Sequence, residues 1–106
     1  MQTILSGVAT LIDGATGGGV GDRVCVPSPL RSFQLKLTGE GDISATVQIF
    51  GSNDQGDWAV LLGTFESTGA DNVVEGFVSN APWQYIHAEV VSVSGTNAAV
   101  SIFMGV

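Results

Sequence analysis

The chain has little positive charge, almost no cysteine, few prolines and no long apolar run. Only Arg23, Arg31 and Lys36 are basic among 106 residues, against ten acidic residues, giving a net charge of -7. Three scattered cations cannot form a basic stripe, and the net charge repels phosphate backbones, so nucleic acid is not an expected partner. No segment approaches the roughly 20 consecutive apolar residues of a membrane span, and the N-terminal MQTILSGVATLIDG has no basic n-region followed by an apolar core. A membrane partner and a secretory leader are therefore not expected. A single cysteine, Cys25, cannot make an internal disulfide, and between Val24 and Val26 it reads as an ordinary strand position.

Helical periodicity is also missing. Apolar residues nowhere recur at i, i+3, i+4 and i+7 over three turns. What is present instead is glycine, 15 residues of it, punctuating short runs rich in Val, Ile, Thr and Phe. Hydrophobic residues make up 44% of the chain and charged ones only 12%, which argues against disorder and for a surface built from Ser, Thr, Asn, Gln and Gly. The runs read as strands at about Val8–Asp13, Asp22–Val26, Ser32–Thr38, Ile43–Phe50, Asp57–Ser67, Asn72–Val78, Trp83–Ser92 and Ala98–Val106. Short strands at that spacing, separated by turn residues, predict a single all-β domain over residues 1–106, an antiparallel β-sandwich with about eight strands and a jelly-roll-like form.

Alternation assigns several faces. Phe33, Leu35 and Leu37 point one way and Gln34, Lys36 and Thr38 the other; Ile43, Ala45, Val47 and Ile49 repeat the pattern. Ala59–Leu62 is apolar on both faces, so Asp57–Ser67 is expected to be central in its sheet or covered by a partner. Pro27 and Pro29 remove two backbone donors and should interrupt pairing between the second and third strands. GATGGGVG, Gly14–Gly21, has five glycines in eight residues. It reads either as a loose loop or as a hinge that lets residues 1–13 pair with a neighbouring subunit, making 1–21 a flexible or partner-exchanging N-terminal arm.

Candidate chemistry is sparse. In FGSNDQGDW, Asp54 and Asp57 suggest a hard cation, but no bidentate acid follows Gly56 at calcium-loop spacing. A tight turn accounts for the same residues, with Ser, Asn and Asp bonding locally and Gly supplying positive φ. Gly51, Ser52, Asp54 and Gly56 are thus assigned to a turn, with Trp58 expected to pack inward. His87 and Cys25 match no nucleophile motif, the acids form no catalytic constellation, and the GGG run lacks the lysine or helix of a phosphate loop. Neither an enzyme nor a cofactor or metal site is expected. The aromatics carry more information. Ile86, Ala88 and Val90 form one small apolar face, while Trp83, Tyr85, His87 and Glu89 form another, which Phe103 and Phe50 are candidates to extend. Large aromatics on a half-polar face suit subunit contact, glycan stacking or ordinary packing.

The ordered pieces VQIFGSNDQGDWAVLLGTF, EGFVSNAPWQYIHAEV and VSGTNAAVSIFMGV resemble small structural proteins of tailed bacteriophages over residues 32–106. In these a Gly-Ser-x-Asp turn leads to Trp, a Pro-Trp-x-Tyr strand follows, and a Ser-Gly-Thr turn enters the last strand. Gln55 and His87 depart from that pattern. The resemblance implies a β-sandwich that decorates or cements a capsid, or sits in a head or tail fibre, and works by binding. By position, Gly51, Ser52 and Asp54 would shape the turn, Trp58 would anchor the next strand, and Pro82, Trp83 and Tyr85 would start another. The implied partners are the major capsid protein or other virion proteins and further copies of the chain, as a dimer or trimer. The implied location is the virion, assembled in bacterial cytoplasm.

Overall fold

A computed structural model describes residues 2–4, 7–27, 31–54, 58–79 and 83–106. Among the described residues the secondary structure is entirely β, as the missing helical period predicted. Four short strands come first: β1 (Gln2–Thr3), β2 (Val8–Ala15), β3 (Gly19–Val20) and β4 (Val24–Cys25). Three long ones follow: β5 (Arg31–Ser52), β6 (Val60–Ser79) and β7 (Tyr85–Gly105). All seven belong to one sheet. β5 lies between β6 and β7, and the far edge of β7 carries β2, β3 and β4, each antiparallel to it, with β1 parallel to β4.

The expected eight strands are not separate. Ser32–Thr38 and Ile43–Phe50 are two arms of β5, and the later pairs of runs merge in the same way into β6 and β7. A straight strand of 22 residues would span roughly 70 Å at about 3.3 Å per residue, yet the molecule is only 39 Å in its longest dimension. Each long strand therefore bends sharply at its middle. The bends coincide with register shifts on β5 between Thr38 and Asp42 and between Glu40 and Ser44. They also coincide with backbone in the left-handed region at Gly41, Asp71, Gly95 and Asn97. Glycine adopts that region without penalty, and Asp and Asn tolerate it better than other residues. The bends are tied together: the Gly41 N–H donates to Asp71 Oδ1 at 2.9 Å.

Bending places the two arms of the sheet face to face. Odd-numbered residues of β5 are buried in both arms: Phe33, Leu35 and Leu37 in the first, and Ile43, Ala45, Val47 and Ile49 in the second. They form one core with Ile86, Ala88, Val90, Val100, Ile102 and Met104 of β7 and with Ala9, Leu11 and Ile12 of β2. Contacts across the gap are explicit on β6. Phe77 of the first arm lies 5.1 Å from Phe65 of the second, ring centre to ring centre. Gly63 has no side chain because the Phe77 ring occupies that space: a Cβ there would sit 2.8 Å from the ring. The buried Ser67 hydroxyl donates to Glu75 Oε2 at 2.8 Å.

One expectation about a particular segment changes. Asp57–Ser67 is not central: among the described residues β6 pairs only with β5, so it is an edge strand, and Val60 and Leu61 are exposed. The apolar run there is therefore uncovered within this chain, which leaves the expected cover by a partner as the alternative. In the glycine-rich segment, Val8–Ala15 pairs with the C-terminal arm of β7 of the same chain, Gly19 and Val20 pair with Val90 and Glu89, and Gly21 N–H donates to Ala88 O at 2.8 Å. Pro27 stands outside the strands, while Pro29 lies outside the described residues.

Candidate functional site

Opposite the bends the sheet is open: Ser79, opposite Arg31, ends the first arm there, and Tyr85, opposite Ser52, begins the second. Arg31 plugs that open end. It is only 2% exposed, and its Nη1 donates to the Trp83 carbonyl at 2.6 Å. Burial pushes the Arg31 pKa down, since the charged guanidinium has given up water. Trp83 lies on Gly51, where a Cβ would stand 2.7 Å from Trp83 Cγ, and packs against the core. Gly51 is thus required by close approach.

The sequence grouping of Trp83 with Tyr85, His87 and Glu89 on one face is therefore not what the fold builds. Trp83 precedes β7 and turns toward the core, leaving Tyr85, His87 and Glu89 on the outer surface, all half-buried. Cross-strand pairing sets His87 directly opposite Phe50, and their rings stack at 5.1 Å with planes 13° apart. Phe50 is in turn opposite Leu61 on β6, so His87, Phe50 and Leu61 make a continuous row; Cys25, Tyr85 and Ser52 make the neighbouring one. Burial against this row lowers the His87 pKa, the positive charge of Arg23 lowers it further, and Glu89 opposes the shift. Phe103 does not join them. It sits on the other arm, opposite Gln34 and Thr10, on the far side of the folded sheet.

The FGSNDQGDW segment links β5 to β6. The buried Ser52 hydroxyl donates to the Asp54 carbonyl at 2.7 Å, the local bonding expected of a turn, and Asn53 Oδ1 accepts from the Gln84 N–H at 3.2 Å. Gly56, Asp57 and Gln55 lie outside the described residues, as does Pro82. Trp58 does not take its expected inward position: it is 86% exposed. The inward position foreseen for it is taken by Trp83, which has the missing side chain of Gly51 to fill. Among the described residues no three His, Cys, Asp or Glu side chains converge as a metal site would require.

Further apolar groups face outward that alternation alone did not single out. Val74 and Val78 on β6 are 62% and 69% exposed, and Val8 on β2 is 71% exposed. Val8, Gly105, Ser32 and Val78 are consecutive across β2, β7, β5 and β6, so two valines flank a shallow floor of small residues. The doublet Val73–Val74 breaks strict alternation, and that break was the available signal.

No protein-family model and no curated protein sequence matches the chain. Among solved structures, the SPBc2 prophage-derived protein YomS is similar in fold, with a TM-score of 0.62 at 16% identity, covering 94% of this chain and 91% of that one. A structure described as "CBM4 structure and function" superposes with a TM-score of 0.38 at 10% identity, covering 93% of this chain and 68% of that one, too loose a fit to support an inference.

Proposed function

We propose that this chain is a structural component of a tailed-phage particle, a sandwich-like module that decorates or cements the capsid and acts by binding, not catalysis. The observation that carries the reading is the exposed apolar and aromatic surface of an all-β scaffold: Trp58, Val60 and Leu61 beside the Phe50–His87 stack, and Val8, Val74 and Val78 on the other arm. Exposed apolar groups clustered in this way mark contact surfaces. The fold likeness to a prophage-derived protein supports the choice of partner class, as does the resemblance carried by the turn and Pro-Trp-x-Tyr motifs. Binding across neighbouring major capsid subunits in the mature shell would stabilise that state by mass action. The acidic surface would limit adhesion to packaged DNA.

The test is the copy number of the protein in purified particles, by quantitative mass spectrometry against the major capsid protein. A ratio near one, or a simple fraction set by capsid symmetry, is expected. A handful of copies would move the protein to a tail or fibre, and absence would sink the virion reading.

A second reading, glycan binding by a fibre-associated module, is favoured by the exposure of Trp58, since an indole face open to water is what a sugar ring stacks on. Glycan-array binding abolished by Trp58→Ala would support it. Silence across the array would remove it.

A further inference from the structure

The two edges of the sheet are treated differently. The far edge of β7 is covered by β2, β3 and β4, whereas among the described residues no strand pairs with the outer edge of β6 over Val60–Val78. An edge of that length exposes backbone donors and acceptors that template further pairing, and soluble proteins usually block it with lysine, proline or a very short strand. Val60–Ser79 has neither lysine nor proline.

We infer that the β6 edge pairs antiparallel with β6 of a second copy, about a two-fold axis through the bend at Gly69. Three observations select a copy of the same chain. β6 is apolar at both ends, with Val60–Leu62 at one and Val73, Val74, Phe77 and Val78 at the other, and polar from Glu66 to Asn72. Antiparallel pairing sets apolar against apolar and polar against polar. The bend lies near the middle of the strand, so a two-fold along its bisector superposes both arms and continues both layers. The acids then decide the register, which can change only in steps of two without turning faces over. Centring on Asp71 sets that carboxylate against its own copy. Centring on Ala70 sets Glu75 against Phe65. Centring on Gly69 avoids the like-charge contact and sets Glu66 against Asn72, Asp71 against Ser67, and Glu75 against the backbone of Gly63, beside which the Phe77 ring lies. Thr64 and Val74, both exposed on the outer face opposite Gln48 and Lys36, meet across the axis twice. Pairing over Gly63–Glu75 would form about a dozen backbone hydrogen bonds, typical of a specific interface.

This pairing names the surface behind the oligomer implied by the phage resemblance, and it is tested in solution, so it can fail while the virion reading stands, or the reverse. The experiment is sedimentation velocity of the full chain over a concentration series, with circular dichroism to confirm folding. The wild type should be a dimer. Thr64→Glu with Val74→Glu brings two carboxylate pairs into opposition and should weaken the dimer about tenfold or more, while leaving both new carboxylates solvated in a folded monomer. Thr64→Glu with Val74→Lys replaces repulsion by two opposite-charge pairs and should restore the dimer. A wild-type monomer at every concentration would overturn the inference, as would a dimer indifferent to the double-glutamate variant. Failure of the Glu/Lys variant to restore association would overturn the register and with it the axis.

Discussion

The two ends of the folded sheet solve opposite problems. At the bent end, three adjacent strands turn a corner while staying paired. That corner is made of small residues and left-handed backbone: Gly39, Gly41, Asp71, Gly95 and Asn97. At the open end the space between layers is filled by large side chains, Arg31 and Trp83, and the Phe50–His87 stack lies on the outer surface of the same arm end. At Gly39 and Gly95 the bent end is thus intolerant of added atoms, because neighbouring backbone already lies against them. The open end depends on large groups: Arg31 is buried there, and the Phe50–His87 stack lies on the outer surface.

The sharpest way to break this contrast is to add bulk at the corner. Gly95 has φ +122, and a Cβ there would lie 2.7 Å from the Asp42 carbonyl oxygen and 2.8 Å from Ile43 Cγ2. Gly95→Val should therefore destabilise the fold by about 3 kcal/mol or more, combining backbone strain with overpacking, as read from chemical denaturation. A loss below about 1 kcal/mol would mean that the corner is not tightly built.

Bulk at the open end should be felt less. Gly51→Ala pushes on a side chain, not on backbone, so Trp83 can shift; a loss of about 2 kcal/mol is expected. In a Trp58→Phe background the single remaining indole reports the displacement as a red-shifted emission. An unchanged spectrum would place Trp83 elsewhere.

Phe50→Ala removes one partner of an outer-surface stack and should lower stability by only about 1 kcal/mol. The same variant should weaken binding to capsids clearly, as measured by co-sedimentation with particles lacking the protein. Full binding would shift the contact surface to the valine-rich arm.

The smallest effect concerns pH. The fold holds the His87 pKa below its ordinary 6.5, so as pH falls the unfolded chain takes up a proton before the folded one does. Stability should be fully present above about 6.5 and decline below it until the lowered folded value is passed. Since carboxylates titrate in every variant, the measurement is the difference between wild type and His87→Gln over pH 7 to 5. Parallel curves would show that the imidazole does not couple to folding.

Much of the inner surface was legible without coordinates. Phe33, Leu35 and Leu37 alternate with polar residues, as do Ile86, Ala88 and Val90 in part, and the core uses these positions because side chains in a strand must alternate. The expected turn is only partly what forms: Gly51 and Ser52 still belong to β5 and pair with β7, and local bonding begins where the Ser52 hydroxyl donates to the Asp54 carbonyl. The candidate site was read less well. Trp58 and Trp83 exchange their expected roles, and Phe103 is parted from the other aromatics, because each outcome depends on what lies across a gap the chain crosses only after folding.

The same division holds for the architecture. Composition and period two are local properties, so the all-β class, the inner faces and the absence of a helical stripe followed from residue order. Whether TGEGD, TGAD and SGTN end a strand or bend it is not local. Glycine and left-handed Asp or Asn permit either, and the choice falls to the neighbouring strands, whose hydrogen bonds persist through the corner and whose buried faces meet only if all three bend together.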